Sequence, residues 1–347
     1  MKLTYNCPVP NTFGLIVRAA CLLEYDSVQE LRALLSDEHF SAGLPLPMMH
    51  VGGGSNLLFS GDYPGTLLHS RIGFMEEGTA DADGWIRIRV GSGVVWDNFC
   101  AWAALKGYWG PENLSLIPGE VGAAAVQNIG AYGREACQLI ESVECLDLRT
   151  HEEVLIPVAE CGYGYRASNF KGVWKGRYAV TAVTLRLSVI PRPELDYRHV
   201  RDAVIVRFGG DVGLSPKEIR EVIIDIRNSK LPSPSEIGSA GSFFRNPFVT
   251  AERLAAVEAV AAKEDFGPVP HFDSDEGIKI PAAWLIEKCG WKGYHEGNVA
   301  VYDKQPLVLI NANGRALPQE LIQLKNKIIE SVRARFGIEL DPEVEIV

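Results

Sequence analysis

Three polar side chains stand in settings too apolar or too rich in glycine for ordinary surface positions. Arg166 follows Gly162-Tyr-Gly-Tyr165, Ser242 lies in a loop of glycines and aromatics running from Gly238 to Pro247, and Glu343 belongs to the C-terminal Asp-Pro-Glu-Val. Singly, each has a plain structural use: a surface ion pair, a turn cap, a residue on a solvated strand. Together, a cation, a hydroxyl and a carboxylate are a set that stabilises developing negative charge and transfers a proton, provided the fold brings them to one substrate. Two glycine-rich segments accompany them. Gly52-Gly53-Gly54-Ser55-Asn56 has no Cβ to block the approach of backbone amides to an anion, and Ser55 and Asn56 add side-chain donors. That suits a pyrophosphate, and equally a tight turn between strands. Ile117 to Gly133 interleaves four glycines and four alanines with Asn128 and Tyr132. Side chains so small suit close backbone contact with a flat, extended ligand, or a packing seam.

Other chemistries are excluded by absence. The chain has no G-x-G-x-x-G dinucleotide fingerprint, no Gly-Lys-Ser/Thr phosphate loop, no His-Glu-x-x-His metal helix and no G-x-S-x-G elbow. The seven cysteines, at 7, 21, 100, 137, 145, 161 and 289, form no C-x-x-C pair and no zinc-finger spacing. They read as reduced thiols, and no metal site is expected. A net charge of −10 argues against general nucleic-acid binding, which needs a positive field. No leader-like N-terminus and no spanning apolar run is present, so the chain is expected to be cytoplasmic and off the membrane.

The elements that must position these residues form a mixed α and β pattern, and 347 residues suggest two or three domains. Leu15–Leu23 reads as a strand, and Ser27-Val-Gln-Glu30 as a capping box opening a helix through Leu35. His50–Val51 and Leu57–Phe59 read as strands on either side of the first glycine loop. Trp85–Val90 alternates with period two, Val95–Lys106 is a helix stopped by Gly107, and Val180–Ile190 is a long strand. Ser215-Pro216-Lys217-Glu218 opens a helix to about Asn228. Leu231–Ser235 reads as a linker. Helices then follow at Ala251–Glu264, Ala282–Cys289 and Pro318–Phe336, strands at Asn298–Val301 and Leu307–Asn311, and a strand-like tail ends the chain.

The motifs, in order and spacing, resemble the UDP-N-acetylenolpyruvoylglucosamine reductase family. The matching residues are Asn11–Gly14, Gly52–Asn56, Asn113–Gly133, Gly164–Arg166, Lys230–Pro232, Gly241–Pro247, Ala283–Ile286, Val308–Asn311 and Pro342–Val344, spread over nearly the whole chain. The resemblance implies an α+β fold. Residues 1–230 would be an FAD-binding region of the vanillyl-alcohol-oxidase/PCMH type, with subdomains of about 1–70 and 71–230. Residues 231–347 would be a smaller α+β substrate-binding domain whose tail returns to the active site.

It also implies two half-reactions at one site. NADPH, the co-substrate, reduces FAD, and the enolpyruvyl ether of a UDP-sugar is then reduced to UDP-N-acetylmuramate. By the resemblance Arg166 stabilises the charge that develops, Ser242 donates the proton and Glu343 supports the enol intermediate. Gly52, Gly53, Gly54, Ser55 and Asn56 would hold the FAD pyrophosphate, with Ile117, Pro118, Gly119, Gly122, Gly130 and Tyr132 beside the flavin. Tyr197, Lys230, Asn246 and Gln305 match substrate-binding positions, and Arg227, one helical turn before Lys230, adds positive charge. Tyr197 and the long insertion before Lys230 fit the subgroup that closes a tyrosine-bearing loop over substrate. Ala123 departs from relatives carrying serine, which removes a hydroxyl contact to FAD there. No histidine lies in either glycine loop, so the FAD is expected to be non-covalent. A monomer is the favoured oligomeric state. The alternatives are another flavin oxidase or dehydrogenase of the same fold, and a non-catalytic nucleotide-sugar or flavin-binding module.

Overall fold

Alternating burial makes the clearest strand. Trp85–Gly91 buries Ile86, Ile88 and Val90 and turns Arg87 and Arg89 to the other face. It is paired antiparallel with Tyr178–Ser188, which pairs in turn with Ile140–Asp147, itself paired with Glu153–Pro157; Met75–Glu77 lies on the other side of Trp85–Gly91. The helix Trp96–Lys106 covers this five-stranded sheet with Phe99, Cys100 and Ala103, and stops where Gly107 takes a left-handed φ of 78°. The structure, a computed structural model, describes residues 1–274 and 276–347, and Arg198 by its backbone alone.

The chain divides into two units. The first is Met1–Cys7, Ala19–Gly53 and Pro64–Arg227; the second is Pro8–Arg18, Gly54–Tyr63 and Asn228–Val347. Besides the five-stranded sheet, the first unit holds most of a four-stranded sheet in the order Lys2–Pro8, Arg18–Tyr25, Tyr63–Ser70, Met48–Val51, backed by the helix Val28–Ser36. The helices Arg198–Phe208 and Pro216–Lys230 pack through Val200, Val204, Ile219 and Ile223, and the second of them runs past Arg227 into the other unit. The second unit has a four-stranded sheet in the order Gly238–Ser242, Val308–Asn311, Val299–Val301, His295–Glu296, with the helices Ala251–Lys263, Ala282–Lys288 and Pro318–Phe336.

A division after residue 230 is a single cut, whereas the second unit here also takes two early segments. Leu57–Leu58 pairs in parallel with Glu345–Ile346, and the amide of Ser239 donates to Thr12 O at 2.9 Å. Two expected elements shift. The strand expected from Leu15 begins only at Arg18, because the Asn11 side chain holds both backbone groups of Leu15 in a loop. Ser242, expected in a loop, ends a strand. No helix among the described residues is long and apolar enough to cross a membrane.

Candidate active site

In the first unit the small-sided segment is folded, not open. Gly119 adopts φ 121°, and Val121–Gln127 forms a two-turn helix stitched to Ser92–Trp96 by bonds from Val121 N to Val94 O and from Gly122 N to Ser92 O, both 2.9 Å. A Cβ at Gly122 would stand 2.8 Å from that of Ser92, so the close approach requires glycine. Around it, Leu116, Asn128, Tyr132 and Arg166 all take left-handed backbone, with φ of 59°, 48°, 50° and 54°. Each costs roughly 1–2 kcal/mol for a residue with a Cβ, so the surroundings must hold them.

Two buried asparagines do most of that. Asn128 donates to Glu135 Oε2 and to Gly164 O, both at 2.9 Å, and accepts from Cys137 N at 3.0 Å. Asn113 donates to Tyr132 O and to Glu194 O, both at 2.9 Å, tying the glycine segment to the chain just before Tyr197. Arg166, whose turn Asn128 holds through Gly164, donates from Nη2 to Gly130 O at 2.5 Å, and a Cβ at Gly130 would lie 2.8 Å from its Nη1. Sequence reasoning singled out Arg166 and Gly130 but not the two asparagines as clamps. Beside Asn113, burial pushes the Glu112 carboxyl up to about 7; one of its oxygens accepts from Gly110 N at 2.6 Å.

Three residues expected to meet cofactor or substrate cluster in this unit. The Tyr132 and Tyr197 rings meet edge to face at 5.7 Å, and the hydroxyl of Tyr132 is hydrogen-bonded to Arg227. Burial pulls the Arg227 guanidinium below its ordinary value, and its Nε is buried without a hydrogen-bond partner among the described residues. Ile117 packs its side chain on the core, leaving its backbone for any ligand. Gly52 and Gly53 face the other glycine segment. A Cβ at Gly52 would be 3.1 Å from Glu120 Oε2 and 3.3 Å from Ala123 Cβ, and one at Gly53 would be 4.0 Å from Gly119 Cα. Gly52 and Gly53 thus lie against the second glycine segment, in a cradle that a Cβ at Gly52 would crowd. Backbone amides without side chains suit a diphosphate, so these residues fit FAD.

In the second unit the residues expected at the chemistry ride on backbone pairing. Ser242 pairs with Val308, and the strand bulges between Ser239 and Ser242, where Gly241 takes φ 69°. A Cβ at Gly238 would come within 2.0 Å of Phe13 O, which explains why a strand here is spelled with glycine. The tail then lies along Phe243–Arg245: Glu343 N donates to Phe243 O at 2.8 Å and Arg245 N to Asp341 O at 2.9 Å, with an antiparallel bridge between Phe244 and Pro342. Glu343 and Ser242 are thereby brought to adjacent rungs.

Asn56 spends its side-chain amide on this tail, donating to Glu343 O at 3.1 Å, while its backbone carbonyl accepts from Glu345 N at 3.0 Å. Gly54 is held at φ 65° against Pro10, with no room for a Cβ. The Oδ1 of Asn246 accepts from Ala282 N at 2.9 Å and so opens the helix Ala282–Lys288. Gln305 makes the turn into Val308–Asn311, and Lys230 ends its helix half-buried. Arg166 belongs to the first unit, Ser242 and Glu343 to the second.

Comparison with known proteins places this arrangement in a class. A family model described as an FAD binding domain matches residues 19–152, and one described as the C-terminal domain of UDP-N-acetylenolpyruvoylglucosamine reductase matches residues 233–347. The crystal structure of UDP-N-acetylenolpyruvylglucosamine reductase from Thermus caldophilus has a similar fold, with a TM-score of 0.63 and 22% identity over 99% of this chain and 98% of that one. These make the chain an FAD-binding oxidoreductase of α+β fold. Reductases of that name from Bacteroides fragilis (strain YCH46) and Porphyromonas gingivalis (strain ATCC 33277) are 47% and 42% identical to it, over 100% and 97% of this chain and 100% and 96% of theirs. The chain belongs to the UDP-N-acetylenolpyruvoylglucosamine reductase family.

Proposed function

We propose that this protein uses NADPH to reduce the enolpyruvyl group of UDP-N-acetylenolpyruvoylglucosamine, giving UDP-N-acetylmuramate for peptidoglycan precursor synthesis in the cytoplasm. The observation that supports the reading is the pairing of the tail with Phe243–Arg245, which lays the Glu343 backbone opposite Phe243, one rung from Ser242. Non-covalently bound FAD supplies the hydride chemistry. Gly52 to Asn56 and the segment from Ile117 to Tyr132 (Ile117, Pro118, Gly119, Gly122, Gly130 and Tyr132 among them) line it, Pro118 and Gly122 by close contact alone, since proline has no N–H and Gly122 N is bonded to Ser92 O.

The chain's own residues do the rest. Arg166 neutralises the charge that builds on the substrate carboxylate and its adjacent carbon, at a point fixed by its bond to Gly130 O. Ser242 gives up its hydroxyl proton to the carbon next to the carboxylate. A hydroxyl is a weak acid, but a carbanion-like acceptor is a strong base, so the transfer is downhill. Glu343 polarises the enol. Lys230 and Arg227 meet the diphosphate, Asn246 and Gln305 the sugar and uridine, and Tyr197 closes over them.

Stopped-flow measurement of Ser242→Ala tests the assignment. The variant is expected to be reduced by NADPH at the wild-type rate and reoxidised by substrate about 10²–10⁴-fold more slowly, the usual span for loss of a general acid. Equal slowing of both halves would remove Ser242 from the proton-donor role.

A further inference from the structure

Glu120 is an odd residue for its place. It precedes the helix Val121–Gln127 in the N-cap position, yet its side chain caps nothing. Its carboxylate is buried against Gly52, with Oε2 3.1 Å from where a Cβ there would be. A carboxylate against a loop read as a diphosphate cradle opposes the ligand unless its charge is met. His69 meets it. The ring, buried on the strand Tyr63–Ser70, stands with Nε2 2.8 Å from Glu120 Oε1. A carboxylate oxygen accepts, so Nε2 is the donor. Among the described residues His69 is the side-chain hydrogen-bond partner of the Glu120 carboxylate. Glu24, 3.9 Å from His69 Nδ1, has cations of its own in Arg71 at 3.6 Å and Lys2 at 3.7 Å. His50, also close, is kept uncharged near neutral pH because burial drops it to about 4.

We propose that His69 is a positioning residue for the cofactor, acting through Glu120. By donating to Oε1 it satisfies the carboxylate and fixes the side chain against Gly52, so that the amides of the two glycine segments face the FAD diphosphate. The inference rests on the FAD reading above and adds to it a residue outside both glycine segments. Removing the imidazole leaves a buried carboxylate without its donor beside an anionic ligand; replacing the carboxylate as well removes that unmet group.

The test titrates FAD into flavin-stripped, full-length protein, followed by flavin fluorescence. His69→Asn is expected to weaken FAD binding about tenfold or more, and His69→Asn/Glu120→Gln to return it to within about threefold of wild type. A merely structural role for His69 gives no such rescue. An unchanged single variant, or a double variant as weak as the single, overturns the proposal. Should His69→Asn fail to fold, Glu120→Gln alone decides: affinity at or above wild type supports the proposal, and a tenfold loss overturns it by making the carboxylate itself a cofactor ligand. Failure of wild type to bind FAD would instead overturn the functional reading.

Discussion

The two regions that carry the proposed chemistry are built by opposite means. Around Arg166 the backbone is left-handed at Leu116, Asn128, Tyr132 and Arg166, and buried side chains hold it: Asn128 to Glu135, Gly164 and Cys137, Asn113 to Tyr132 and Glu194. Around Ser242 and Glu343 the work falls to main-chain pairing, from Phe243, Arg245, Glu343 and Glu345. A scaffold of side chains can be undone by one substitution and responds to pH. A scaffold of main-chain bonds tolerates side-chain changes. The first suits a strained, preorganised cation; the second suits a proton donor on a strand laid beside the tail.

That contrast can be measured. Asn128→Ala is expected to cost about 2–4 kcal/mol in urea unfolding, because it removes the bonds to Glu135 and Gly164 O, leaves Cys137 N without its side-chain partner and puts a residue less tolerant than asparagine into left-handed backbone. Next comes pH. Glu112 has its proton held more tightly folded than unfolded, so its stabilising contribution is full below about 4.5 and is lost as pH rises through about 7. Wild type should therefore lose about 2 kcal/mol relative to Glu112→Gln between pH 5 and pH 8, read from unfolding at each pH. The smallest effect belongs to the other region. Asn56→Ala removes one bond to Glu343 O while the main-chain bonds of the tail persist, so about 1 kcal/mol is expected. A cost for Asn56→Ala equal to that for Asn128→Ala would erase the contrast.

The same difference decides what could be read from the chain alone. Local signals were legible: the alternation of Trp85–Gly91, Gly107 as a helix stop, and Ser27, which accepts from Glu30 N at 3.1 Å as a cap should. Even there Glu30 bonds Asp26 N, one residue short of the reciprocal box. The strand Ile140–Asp147 went unread because register shifts after Ile140 and Glu144 break its period. The residues named for chemistry rest on motif order. Their supports, Asn128 and Asn113 as clamps and His69 opposite Glu120, were not legible, because each joins positions far apart in sequence through a contact that no local pattern encodes. The strand ending at Ser242 was hidden for a like reason, its pairing supplied by residues 308–311.

One anaerobic titration bears most directly on the function proposed. Purified protein carrying FAD is bleached with NADPH, then given UDP-N-acetylenolpyruvoylglucosamine while flavin absorbance is followed. The account predicts bleaching by one equivalent of NADPH and full return of the yellow colour with one equivalent of the UDP-sugar. Flavin that stays reduced after the UDP-sugar is added would contradict it.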